Sequence, residues 1–143
     1  MMNANVKADG RKVSLPAGRY YVGDPCHVVA TGDWGKWLDD AYDNDFDPTK
    51  LLLADINGCP VVGIPTAHGD GRYFDDEGNG FGVDSGLLGL VPWNVVDASK
   101  ILERPWLGLL VDFKDSAECW SRGGTIHLGE ITIYTGDEDG GVT

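Results

Sequence analysis

The stretch Leu51-Leu52-Leu53-Ala54-Asp55-Ile56-Asn57-Gly58-Cys59-Pro60-Val61-Val62-Gly63-Ile64 decides the fold. Two apolar runs flank an Asn-Gly pair. A two-residue type I′ turn needs positive φ at both central positions, and Asn-Gly meets that need at least steric cost. The segment therefore reads as an antiparallel hairpin. Pro60 and Pro65 lack an amide donor and belong at an edge or at strand ends.

The same pattern continues outward. Arg72 to Asp75 and Phe81 to Asp84 flank a turn through Glu77-Gly78-Asn79-Gly80. Glu118 to Ser121 and Thr125 to Leu128 flank Arg122-Gly123-Gly124. Glu130 to Thr135 alternates with period two, as a half-buried strand does. Arg11 to Leu15, Arg19 to Val22, Leu87 to Val91 and Leu107 to Phe113 add further strands, the last expected to be buried. One helix interrupts them near 33–42: Trp34, Trp37, Leu38 and Ala41 follow i, i+3, i+4, i+7 spacing, with Thr31 or Asp33 able to cap its start. The tryptophans read as core anchors. Residues 95–104 fit either a helical turn or a linker.

These signals predict a mainly β (α+β) chain: a single antiparallel β-sandwich or partly open barrel carrying one short amphipathic helix. Such closure limits exposed sheet edges. The expected organisation is a flexible N-terminus over 1–10, one β-rich domain over 11–135 and a disordered acidic tail over 136–143. Strands and helices do not alternate, which excludes a doubly wound nucleotide-binding fold.

Composition narrows the function. The chain has 143 residues, 42% of them hydrophobic, with five tryptophans, enough for one cored domain. The formal net charge of −12 argues against binding nucleic acid through phosphates or lying on anionic lipid. Cys26, Cys59 and Cys119 are few and widely spaced, as expected of reduced thiols in the cytoplasm. No apolar run approaches the roughly 18–20 residues that span a bilayer.

The richest chemistry lies in Thr66–Gly86, TAHGDGRYFDDEGNGFGVDSG. Asp75, Glu77 and Asn79 have the i, i+2, i+4 spacing of a calcium loop, with Gly80 at the turn, but Gly86 stands where the closing glutamate belongs. Asp43, Asp45 and Asp47 repeat the spacing, with Pro48 in place of the glycine. Calcium is thus the one cofactor the sequence suggests, as stabiliser of a β module; otherwise no cofactor is expected. Zinc is less well served. Cys26 and His27 are adjacent and would point to opposite faces of a strand, while His68, His127, Cys59 and Cys119 stand alone. Cys26 or Ser85 with a histidine could form the nucleophile and base of a small hydrolase or transferase, yet no nucleophile motif is complete. Asp84, between Val83 and the small Ser85-Gly86 pair at the mouth of an apolar strand, needs a partner if buried.

Three segments resemble an uncharacterised bacterial and phage protein family: Gly18 to Cys26 (GRYYVGDPC), Thr66 to Gly86, and Ile126 to Thr135 (IHLGEITIYT). The shared features are a Tyr-x-Val-x-Asp-Pro opening strand and a Gly-Val-Asp-Ser-Gly segment. The resemblance implies a β-rich fold and a phage or mobile-element origin, and no catalytic residue. The expectation is a non-enzymatic, phage-encoded binding protein in the host cytoplasm. It would sequester a small-molecule ligand or inhibit a host protein, as a monomer or homo-oligomer. Its expected contact residues are Tyr21, Asp24, His68, Asp70, Arg72, Tyr73 and Asp84.

Overall fold

The computed structural model describes residues 7–8, 12–42 and 51–136. Among the described residues, twelve strands follow in chain order: β1 (Lys7–Ala8), β2 (Lys12–Leu15), β3 (Gly18–Gly23), β4 (Leu52–Ile56), β5 (Cys59–Pro65), β6 (Gly71–Asp75), β7 (Gly80–Val83), β8 (Leu87–Pro92), β9 (Leu109–Phe113), β10 (Ala117–Arg122), β11 (Thr125–Leu128) and β12 (Ile131–Tyr134). Helix α1 (Thr31–Ala41) precedes β4, and α2 (Ala98–Glu103) precedes β9. The undecided 95–104 segment is thus mostly helical, started by Asp97, whose carboxylate accepts the Ser99 N–H at 3.1 Å.

The strands form two antiparallel sheets. One has seven strands in the order β1-β2-β10-β11-β12-β6-β7; the other has five, β4-β5-β8-β3-β9. They pack face to face as a sandwich and do not close into a barrel. The Asn57-Gly58 turn forms as its chemistry demands, with φ of 52° and 80°, and pairs Ile56 with Cys59. Lys7 and Ala8, within the stretch read as a frayed terminus, pair with Ser14 and Val13.

Between the sheets lie Val13, Leu15, Tyr20, Val22, Val62, Ile64, Phe81, Leu88, Leu90, Ile126, Leu128 and Ile133, all buried. The five-stranded sheet is covered on its other face as well. There Tyr21, Val61, Leu87 and Val91 pack with Val28, Val29 and Trp37 and with the partly buried Trp34, Leu38 and Ile101. A helical layer over the second face explains why β5 and β8 read as continuous apolar runs and not as alternating ones. Trp37 is the anchor of that layer. Its indole N–H donates to Ala54 O and Val61 O, both at 3.1 Å, and its ring stacks on Trp34 at 5.1 Å. A Cβ at Gly63 would stand 3.0 Å from the Trp37 ring, so the glycine is the seat for the indole.

The 107–113 strand differs from expectation. Leu107 ends a 3₁₀ turn (Pro105–Leu107), and β9 is an edge strand whose Leu110 and Asp112 are exposed. Leu109, Val111 and Phe113 face the core between the sheets, and Leu110 and Asp112 alternate to the opposite, open face.

Candidate functional site

A polar corner forms where the chain crosses between the sheets. At the end of β3, Gly23 leads into Asp24-Pro25-Cys26-His27. Proline at the first position of a helical turn has its φ preset and no N–H to satisfy. The result is a 3₁₀ turn over Pro25–His27, with Asp24 as its cap. The adjacent Cys26 and His27 therefore lie on a turn and not on a strand, and the expectation that they face apart is corrected. One ligand atom from each of Asp24, Cys26 and His27 lies within 4.8 Å of the others.

Opposite this turn, Asp84-Ser85-Gly86 carries the chain from β7 in one sheet to β8 in the other. Asp24 ties the two together. Its carboxylate is fully buried and accepts four hydrogen bonds. Oδ1 accepts the Cys26 N–H at 2.9 Å and the Ser85 hydroxyl at 2.6 Å. Oδ2 accepts the N–H groups of Asp84 and Ser85, each at 2.7 Å. A buried charge persists when all its lone-pair directions are met in this way.

The question left by Asp84 has a clear answer. Its side chain is 63% exposed and meets His27, whose side chain is only 4% exposed; Nε2 of the ring lies 2.6 Å from Asp84 Oδ2. The other ring nitrogen, Nδ1, is buried and has no hydrogen-bond partner among the described residues. A carboxylate only accepts, so Nε2 is the donor of this pair.

Electrostatics set the character of the thiol and phenol here. Burial, reinforced by the Asp24 charge, pushes the Cys26 thiol far above its ordinary range. The same two causes raise the Tyr21 hydroxyl. An activated cysteine has a lowered value, near a cation or a helix N-terminus, so Cys26 is the opposite of a primed nucleophile. Ser85 donates to the buried Asp24 carboxylate and not to an imidazole, so the expected serine–histidine pair does not form.

Tyr21, Asp24 and Asp84 thus come together. His68, Asp70, Arg72 and Tyr73 do not join them; they occupy the adjoining loop and β6. Thr66 N–H donates to Gly86 O at 3.0 Å, and Gly71 pairs with Val83, so the two groups touch through the backbone. His68, Asp70 and Arg72 are exposed. The Tyr73 hydroxyl donates to Gly69 O at 3.0 Å and closes the loop on itself. Arg72 lies over the Phe74 ring at 5.7 Å.

At the β6–β7 turn, Asp75 is buried and its oxygens are taken by the turn. Oδ1 accepts the N–H groups of Glu77 and Asn79 at 2.9 and 2.8 Å, and Oδ2 accepts the Asn79 amide at 3.0 Å. These bonds account for the Asp75-Glu77-Asn79 spacing as turn chemistry. Asp43, Asp45 and Asp47 lie outside the described residues.

The residues sequence reasoning did not join to this site were Cys26 and His27. The available signal was Asp-Pro itself, which starts a capped helical turn as readily as it ends a strand.

A concavity of about 410 Å³ opens at the other end of β3 among Pro16, Arg19, Tyr20, Pro60, Pro92 and Trp93. Its one cation is already committed: Arg19 bonds both oxygens of Asp112, at 2.8 and 3.3 Å. The corner is the richer site.

No family model, no curated protein and no solved structure matches the chain. No helix among the described residues is long and apolar enough to cross a membrane.

Proposed function

We propose that this chain is a non-catalytic binding protein. Its ligand seat is the corner between the Asp24–His27 turn and the Asp84-Ser85 crossover. The observation that carries the reading is the His27 ring, held by Asp84 through Nε2 and left with a buried, unpartnered Nδ1. Buried polar atoms almost always have a partner, so a buried ring nitrogen without one beside this cluster supports a ligand there. A raised Cys26 and a Ser85 bonded to a carboxylate support binding over catalysis.

Of the two expected roles, sequestering a small ligand fits a compact cluster of polar groups better than inhibiting a host protein, which calls for a broad, well-packed contact surface. A phage-encoded protein working in the host cytoplasm is the setting we propose, on the strength of the segment resemblance and the few, widely spaced cysteines.

Native mass spectrometry of freshly purified protein tests this reading. The wild-type chain should carry an additional bound mass that His27→Gln loses and Arg72→Ala keeps. A bound mass indifferent to His27→Gln, or none at all, would overturn it.

A further inference from the structure

We propose that the corner binds a divalent transition-metal ion of the zinc class, held by the Cys26 thiolate, a ring nitrogen of His27 and a carboxylate oxygen of Asp24. The proposal rests on the reading of the corner as a ligand seat and gives that ligand a chemistry.

Three observations converge. The first is distance. One donor atom from each residue lies within 4.8 Å of the others. A tetrahedral zinc ion, with bonds of about 2.0–2.3 Å, sets its donors roughly 3.4–3.7 Å apart. Binding therefore requires the donors to close by about 1 Å. The second is donor type. Sulfur and imidazole beside a single carboxylate suit zinc and its neighbours; calcium and magnesium take oxygen shells. The third is the His27 ring. Metal-binding histidines characteristically give their other ring N–H to a carboxylate, which fixes tautomer and orientation. His27 has that arrangement, with Nε2 on Asp84 at 2.6 Å and Nδ1 buried without a partner. Asp84 is then a positioning residue and not a ligand.

Two changes accompany binding. Asp24 already accepts four hydrogen bonds, so the ion must take one direction from them. The Ser85 hydroxyl is the one that can leave, because it rotates freely while the three N–H donors are fixed by the backbone. Cys26 gives its proton to solvent as the sulfur–metal bond forms, so each ion bound releases one proton. Three protein donors leave a fourth position for water or a further small ligand.

The test uses chelator-stripped full-length protein and Co²⁺ alone. Cobalt should develop the near-ultraviolet thiolate-to-metal band and the visible bands of a tetrahedral site, and Zn²⁺ should displace it. Cys26→Ser should abolish the thiolate band, and Cys59→Ser should leave it intact. Competition titration should show Zn²⁺ binding weakened at least about 100-fold by Cys26→Ser. Asp84→Asn should weaken it about 10- to 100-fold while keeping the band, as loss of an orienting carboxylate does. Circular dichroism identifies any variant that fails to fold; the near-isosteric Cys26→Ser and the exposed Asp84→Asn carry the test if His27→Gln does.

A folded wild-type protein with no thiolate band, or a band that survives Cys26→Ser, overturns the metal site. If cobalt gives no band yet a bound organic mass is still lost with His27→Gln, the ligand seat stands and only the metal falls. If neither is found, both fall.

Discussion

His27 and Asp84, 57 residues apart in the chain, meet at 2.6 Å with the imidazole buried and the carboxylate at the surface. The exposed member costs little to hold there, so the pair fixes the ring without burying the Asp84 carboxylate. Replacing Asp84 with alanine leaves its backbone N–H on Asp24 but frees the ring. The expected loss is about 1 kcal/mol, modest because the carboxylate is largely solvated. Urea denaturation would measure it; a loss above about 3 kcal/mol would mean that the side chain does more than orient His27.

Asp24 is the opposite case. Asp24→Ala would leave three partly buried N–H groups and one hydroxyl without this acceptor. Removing the acceptor from several such donors at once costs about 3–5 kcal/mol, a large part of a domain's total stability. Asp24→Asn retains one carbonyl acceptor but turns an NH₂ toward a donor, and should lie between alanine and wild type. An Asp24→Ala protein as stable as wild type in urea would contradict the hydrogen-bond network.

Thiol accessibility should separate the cysteines by environment. Burial raises the Cys119 thiol to about 12 and raises Cys26 further, so neither is thiolate near neutrality. Cys59 lines the open cleft at the β4–β5 turn. A disulfide reagent at neutral pH should label Cys59 first, Cys26 slowly despite its partial exposure, and Cys119 only on unfolding. Rapid labelling of Cys26 in native protein would revive the nucleophile reading.

His127 supplies a pH dependence. Its ring stacks on Trp120 at 4.0 Å, and burial lowers its pKa below the ordinary 6.5. A histidine harder to protonate when folded contributes stability that is fully present above the unfolded value and declines as pH falls toward the folded one. Stability should therefore fall on acidification from 6.5, and an NMR titration of the His127 ring should show a midpoint below 6.5. His127→Gln should flatten that part of the stability curve; an unaltered curve would assign the slope elsewhere.

Gly63→Ala probes the helical layer. The added methyl would press on the Trp37 ring at 3.0 Å. Overpacking of this kind costs about 1–3 kcal/mol. A shift in tryptophan fluorescence should accompany the loss, since Trp37 cannot move without disturbing its bonds to Ala54 and Val61.

How much of this was legible beforehand follows from the range of each signal. Asn57-Gly58, Gly123-Gly124 and the 34–41 stripe act over a few residues, so turn and period rules located the hairpins and α1 directly. The third layer was not legible. The continuous run Val61-Val62-Gly63-Ile64 signals burial on both faces, but nothing local in it says that helices supply the second cover. The corner was half legible. Asp24 and Asp84 stood out as carboxylates in apolar company, but their link passes through one carboxylate reaching across 60 residues to Asp84 N–H. His27 went unpaired with Asp84 because reading Asp-Pro as a strand exit turned its side chain the wrong way.

The four bonds to Asp24 have a consequence for when the corner exists at all. Their donors come from both sides of the sandwich: Cys26 follows a strand of the five-stranded sheet, and Asp84 and Ser85 follow a strand of the seven-stranded one. Neither sheet alone can assemble the seat. A chain still docking its sheets presents only fragments of it. A ligand taken up there adds its binding free energy to the docked state, about 2.7 kcal/mol at a hundredfold excess over the dissociation constant. Resistance of the whole domain to proteolysis therefore becomes a gauge of occupancy at one small corner.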